Sequence, residues 1–300
     1  MTDTAAHPSR ALVLGGGGVA GIAWESGLLI GLMEAGVDLA AADLVVGTSA
    51  GSSVGVMLRA GRLTPEHLQE ALAAPEEAVE HGAGGALPQT EGSQSYESLA
   101  FHEAMAAATR GVAGHEAVRA HLGAWARSAT VDLDESTWVG QIAARLPADW
   151  PQGRLAITAV DAVDGSFRAF GAEDGVDLPR AVAASCTLPT VFPLVTIDGR
   201  PYMDGGMRSA TNADVAAGHD RVFVVACSPE GDSSKFGLVL DEAVVRLQAE
   251  GSEVIVVEAD AASRRAFGPN VLDPDSAEPS FFAGLAQAQA VADSITEFWG

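Results

Sequence analysis

The chain has 300 residues, 40 acidic side chains against 17 basic ones, and a formal net charge of −23. That balance argues against nucleic acid as a partner, because no basic patch exists to displace phosphate counterions, and it disfavours electrostatic docking on an anionic bilayer. Two cysteines, Cys186 and Cys227, supply neither a disulfide framework nor a metal-ligand spacing, so no metal site is expected.

The first residues, Met1 to His7, carry no basic n-region and no apolar h-region. No apolar run reaches about 18 residues, so no spanning helix is expected. The sequence thus reads as cytoplasmic, with at most peripheral membrane contact; its oligomeric state is not legible. Ala11-Leu12-Val13-Leu14 predicts a short buried strand, followed at once by Gly15-Gly16-Gly17-Gly18-Val19-Ala20-Gly21. Apolar residues then recur at helical spacing as far as Met33, with Gly36 as the stop signal. Strand, glycine loop and helix expose consecutive backbone N–H groups to an anion.

Two chemistries use that layout. Gly16-x-Gly18-x-x-Gly21 satisfies the dinucleotide-binding fingerprint, and the same donors can stabilise the alkoxide formed when a serine attacks an ester. The dinucleotide reading wants an acidic residue at the end of a second strand, roughly 20 residues on. Asp38 and Asp43 are near that distance, but both precede the second strand, expected over 44–46.

The end of that strand carries Gly47-Thr48-Ser49-Ala50-Gly51, with a helical pattern starting at Ser52. A serine between two glycines at a strand-to-helix turn is a nucleophile elbow. The flanking glycines relieve crowding, and the hydroxyl is presented at a helix N-terminus that favours negative charge. Residues 62–150 then read as a helical insertion. Thr64 and Pro65 open one helix there, further segments run over 117–125 and 136–146, and a Gly/Pro/Ser-rich stretch over 81–93 predicts a mobile surface loop. The insertion would form a wall or lid over the site, or pack as ordinary helices on the sheet.

Strands are expected over 155–161 and 167–170 and a helix over 177–185. A hairpin turning at Asp198-Gly199 would deliver Asp204-Gly205-Gly206 at a strand end. Strands over 221–226 and 254–258 and helices over 238–250 and 281–298 complete the chain. This alternation predicts an α/β fold in three layers, a mostly parallel central sheet with helices on both faces and a helical insertion after the nucleophile helix, as one domain over 1–300. His219 is the histidine that follows Asp204, as a Ser-Asp-His order would require.

Together, the glycine loop, the Gly-Thr-Ser-Ala-Gly turn and the Asp-Gly-Gly motif resemble the patatin-like phospholipases. The segment Ala183-Ala184-Ser185-Cys186-Thr187-Leu188-Pro189 ahead of the aspartate is similar too. The resemblance runs from about residue 11 to 225, patchily over 62–150. It implies hydrolysis of lipid or small acyl esters, as a phospholipase, lysophospholipase or lipid esterase, by a Ser–Asp dyad that needs no cofactor. By motif match Ser49 is the nucleophile, Asp204 the general base, and Gly16, Gly17 and Gly18 the oxyanion loop, Gly17 being expected to need glycine-only angles. Gly21, Gly47, Gly51, Gly205 and Gly206 support the three turns. In one departure, Ala20 stands where the family usually has Arg or Lys. Two alternatives stay open: a triad esterase using His219, and a non-catalytic lipid- or nucleotide-binding protein on the same scaffold.

Overall fold

The computed structural model describes residues 8–64, 98–227 and 235–300. The helix expected from Pro65 and the loop expected over 81–93 fall outside them. Its strands are β1 (Arg10–Leu14), β2 (Leu44–Gly47), β3 (Arg154–Asp161), β4 (Phe167–Phe170), β5 (Val195–Ile197), β6 (Arg200–Asp204), β7 (Arg221–Ala226) and β8 (Glu253–Glu258). They form one sheet along the path β5-β6-β3-β2-β1-β7-β8, with β4 also on β3. Strands β3, β2, β1, β7 and β8 are parallel, β4 and β6 pair antiparallel with β3, and β5 pairs antiparallel with β6.

The apolar strand runs carry side chains to both faces, so the sheet needs cover on both. On β1, Leu12 and Leu14 share one core with Val45, Phe223 and Val225, whereas Ala11 and Val13 share the other with Leu44, Val46, Val222 and Val224. The first core is closed by α1 (Gly18–Glu34), α2 (Ala50–Arg59), α6 (Leu178–Ser185) and α9 (Ala277–Trp299), the second by α7 (Leu240–Ala249) and a 3-10 turn at Ala213–Ala216. Each buried Val, Leu or Phe contributes about 1.5–3 kcal/mol. The fold is therefore the three-layer α/β arrangement expected.

Within the insertion, α3 (Ser98–Ala108), α4 (His115–Ser128) and α5 (Glu135–Ala143) pack on the β3 side. Val118 and Leu122 of α4 meet Val160 and Met203. Trp138 of α5 stacks on Phe192 at 4.3 Å and donates from Nε1 to the Ala183 carbonyl. The described helices of the insertion thus pack on the sheet and on α6. Two boundaries differ from expectation. A short α8 (Ala261–Phe267) is capped by Asp260, whose side chain accepts from the Ser263 N–H. Helix α9 begins at Ala277, because Pro279 falls in its first turn, where a missing N–H costs nothing.

One detail of register positions the site. Ile157 of β3 pairs with both Gly47 and Phe170, and Ala159 pairs with both Arg168 and Asp204. Since β4 occupies one edge of β3 over Ile157–Val160, β2 and β6 must meet the other edge end to end. Asp204 therefore lies two residues along β3 from the place where β2 stops and the serine turn begins. The hairpin that brings it there turns through Asp198 (φ 51°) and Gly199 (φ 76°), both left-handed, as a two-residue type I′ turn requires.

Candidate active site

The serine turn is tightly tethered. Thr48 N–H donates to Leu14 O at 3.0 Å, Gly51 N–H to Gly15 O at 2.9 Å, and Ser49 N–H to Ser185 Oγ at 2.9 Å. Ser52 Oγ donates to Ser49 O at 2.6 Å. These bonds hold Ser49 at φ 52°, ψ −116°, a conformation costing about 1–3 kcal/mol for a residue with a side chain. A Cβ at Gly51 would overlap the Leu14 backbone, which explains the second glycine of the motif. Ser49 is the residue preceding α2, so its hydroxyl sits at the positive end of that helix.

Asp204 ends β6 and is 1% exposed. Its N–H donates to Thr187 O at 2.9 Å, and its Oδ1 accepts from the Gly206 N–H at 2.7 Å. Its Oδ2 is sealed from solvent and makes no hydrogen bond. Burial pushes the carboxyl up to about 7, with the Gly206 N–H and then the Ser49 hydroxyl drawing it back. Ser49 is thus within reach of the carboxyl although the bond to Oδ2 is not closed, a looseness common before substrate binds. Cys186 donates to Ser49 O at 3.4 Å; burial, then the Asp204 charge, pushes its thiol up to about 12 and keeps it protonated.

The glycine loop lies against this turn. A Cβ at Gly16 would sit 3.4 Å from that of Ser49. Here the structure revises the expected donor set. Gly16 N–H is already given to Ala210 O at 2.8 Å, so Gly16 anchors the loop and is not an oxyanion donor. The N–H groups of Gly17, Gly18 and Val19 find no acceptor among the described residues. Gly17 has an extended φ of −174°, open to any residue; its constraint is steric, because a Cβ would stand 2.5 Å from Cys227 Sγ. Gly18 is the residue with a left-handed φ, 62°. Ala20 is fully buried in the core and donates to Val271 O at 3.0 Å, so packing fills the position where a cation was expected.

Residues 12–217 match the family model described as patatin-like phospholipase. The chain belongs to this family. Among solved structures it is similar to VipD from Legionella pneumophila, at 11% identity and a TM-score of 0.40 over 96% of this chain and 67% of that one. It is also similar to the type III effector protein ExoU, at 17% identity and a TM-score of 0.33 over 94% of this chain. The chain spans 53% of the length of ExoU. No curated protein matches it. Patatin-like proteins as a family act on lipid acyl esters.

Within this patatin-like fold the residues behind the rival readings stand elsewhere. His219 precedes β7, at the N-terminal edge of the parallel strands, while Ser49 and Asp204 stand at the opposite edge. Its Nδ1 lies 2.9 Å from Ala216 O, and its carbonyl accepts from Ser252 Oγ at 2.7 Å. A Ser–Asp–His triad through His219 is thereby corrected: a strand length separates it from the serine. Asp38 and Asp43 are also at that far edge. Asp38 caps a 3-10 turn and Asp43 Oδ2 accepts from the Arg10 N–H at 2.7 Å, so neither can hold a ribose at the glycine loop. The motif reading missed Asn212, which is fully buried between the two motif turns and hydrogen-bonds to both.

Proposed function

We propose that this patatin-like protein is a lipid acyl-ester hydrolase, one hydrolase domain with Ser49 as nucleophile and Asp204 as general base. The observation that carries this reading is the buried, unpaired Oδ2 of Asp204 beside a serine held in a strained turn. A base titrating near neutrality is matched to abstracting a hydroxyl proton at neutral pH. As Ser49 Oγ bonds to the ester carbonyl carbon, its proton passes to Asp204 and the carbonyl oxygen becomes an oxyanion. The unpaired N–H groups of Gly17 and Gly18 are the donors for that charge, supported by the N-terminus of α1. Collapse expels the alcohol, which takes the proton from Asp204. Water then attacks the acyl-serine, gives its proton to Asp204, and the proton returns to Ser49 as the free acid leaves.

The substrates are phospholipids, lysophospholipids or simpler lipid esters. A net charge of −23 favours dispersed or zwitterionic lipid over an anionic bilayer surface. The deciding experiment is turnover of p-nitrophenyl esters and zwitterionic phospholipid by the wild type and Ser49→Ala, alongside fluorophosphonate labelling. Wild-type hydrolysis and labelling, both abolished in a folded Ser49→Ala variant, are expected. Equal turnover in the two proteins would return the site to the lipid-binding reading.

A further inference from the structure

Behind the Ser49–Asp204 pair lies a polar cluster with no solvent access: Thr48, Thr158 and Asn212 are all 0% exposed. Thr48 Oγ1 and Thr158 Oγ1 are 2.8 Å apart. Asn212 takes a left-handed conformation, φ 49° and ψ 39°, at the start of the Ala213–Ala216 turn. Its Oδ1 accepts from Arg208 Nη1 at 2.7 Å. Arg208 is in turn held by Asp214, at 2.9 and 2.6 Å, and lies over the Phe167 ring at 4.2 Å. With the amide oxygen so fixed, Nδ2 faces inward. It lies 3.1 Å from Thr48 Oγ1, 3.1 Å from Gly205 O, 2.8 Å from Ser209 O and 3.4 Å from Thr158 Oγ1.

Thr48 is the residue before Ser49, and Gly205 the residue after Asp204. One amide group therefore bonds to the immediate neighbour of each. Thr158 lies between Ile157 and Ala159, the β3 partners of Gly47 and Asp204, and blocks any Cβ at Gly205, which lets the aspartate turn pack closely on β3. We infer that Asn212 is a positioning residue whose carboxamide ties the residue before Ser49 to the residue after Asp204 and sets the separation of the two. This inference rests on the Ser–Asp reading above. A purely structural Asn212, capping its own turn, would affect folding stability but not the geometry between base and nucleophile.

Two variants of the full chain separate these roles. Thr48→Val replaces a hydroxyl by a methyl of the same shape; it cuts the tie on the serine side, together with the Thr48 bonds to Thr158 and Thr211, and leaves Asn212 bonded to Gly205 and Ser209. Asn212→Gly removes the amide and keeps the left-handed backbone without strain. With a p-nitrophenyl ester, kcat should fall about tenfold in Thr48→Val and about a hundredfold in Asn212→Gly, with KM unchanged within about threefold. The acid limb of kcat/KM should move up by about half a pH unit or more, because Asp204 loses the downward pull of the Ser49 hydroxyl. The double variant should be no slower than Asn212→Gly, as expected of two groups in one network. Folded variants with kcat within about threefold of wild type and an unmoved acid limb would overturn the inference, however far Tm falls. If Asn212→Gly does not fold, Thr48→Val decides by the same criteria. Failure of the underlying reading looks different: it would appear as turnover surviving Ser49→Ala, whatever these variants do.

Discussion

The two edges of the parallel sheet are built on opposite principles. At the N-terminal edge polar groups close on one another, although Arg59 Nε is buried without a partner. Ser9 donates from N and Oγ to Asp220 Oδ2 at 2.7 and 2.8 Å, and Asp220 N–H returns a bond to Ser9 Oγ at 3.0 Å. Arg59 closes three backbone carbonyls there, those of Ala40, Ala42 and Arg154. At the C-terminal edge the chain keeps a strained serine, a buried carboxylate oxygen without a hydrogen bond, and unpaired N–H groups on the glycine loop. Buried unsatisfied groups cost about 1–3 kcal/mol each. Beside the serine, such open groups are what a site prepared for charge yet to develop looks like.

The sharpest way to break this contrast is Asp204→Asn, which keeps the shape and removes the base. Turnover should fall about ten-thousand-fold or more. The wild-type kcat/KM should rise with pH and level off above about 7, since only the ionised carboxylate accepts the proton. Stability should move the other way. Because burial raises the folded pKa of Asp204, the native state holds its proton between about pH 4 and 7, and stability declines as pH rises through that window. Asp204→Asn should therefore melt about 3 °C or more above wild type at pH 8, a gain that vanishes near pH 4. A variant less stable than wild type at pH 8 would show that the buried carboxylate is not the cost described.

Next in size is Gly17→Ala. The added Cβ would stand 2.5 Å from Cys227 Sγ and 2.8 Å from Gly21 Cα, displacing the two free donors. Losing such a donor typically lowers kcat about 100- to 1000-fold with little change in KM. Pairing it with Cys227→Gly, which removes the thiol contact and leaves the Gly21 one, should recover about a tenfold share. No recovery would place the defect somewhere other than the thiol. The smallest effect belongs to the paired edge. His219→Ala should keep kcat within about tenfold while losing about 1 kcal/mol of stability with the Ala216 contact. A larger loss of turnover at unchanged folding would reconnect the two edges.

Much of this was legible because the information is local. Gly47-Thr48-Ser49-Ala50-Gly51 announces a strand-to-helix turn within five residues, and Asp198-Gly199 announces the hairpin that carries Asp204 to its place. Alternation of strands and helices was enough for the three layers. What stayed hidden depends on distant partners. Nothing near Gly16 reveals that its N–H is taken by Ala210, and nothing near Asn212 reveals Thr48, 164 residues away. The constraint on Gly17 was legible as a need for glycine but not as packing against Cys227, which follows a strand at the other end of the chain. Helix α8 is seven residues long, too short for periodicity to register, and its local signals were the capping Asp260 and the terminal Gly268.

The end-to-end meeting of β2 and β6 on one edge of β3 bears on which length changes this lineage can absorb. The spacing between serine and aspartate is counted out in residues of a continuous strand, Ile157 to Ala159, and not in the loops that lead to either group. Length changes in the connections over 109–114, 129–133 and 144–153 leave that count untouched, so those stretches can drift in length as substrates diverge. A single deletion at Thr158 would instead slip the pairing by one residue and turn alternate side chains to the wrong face. Gly47 and Asp204 would then be brought into adjacent registers, with no loop rearrangement able to restore the gap.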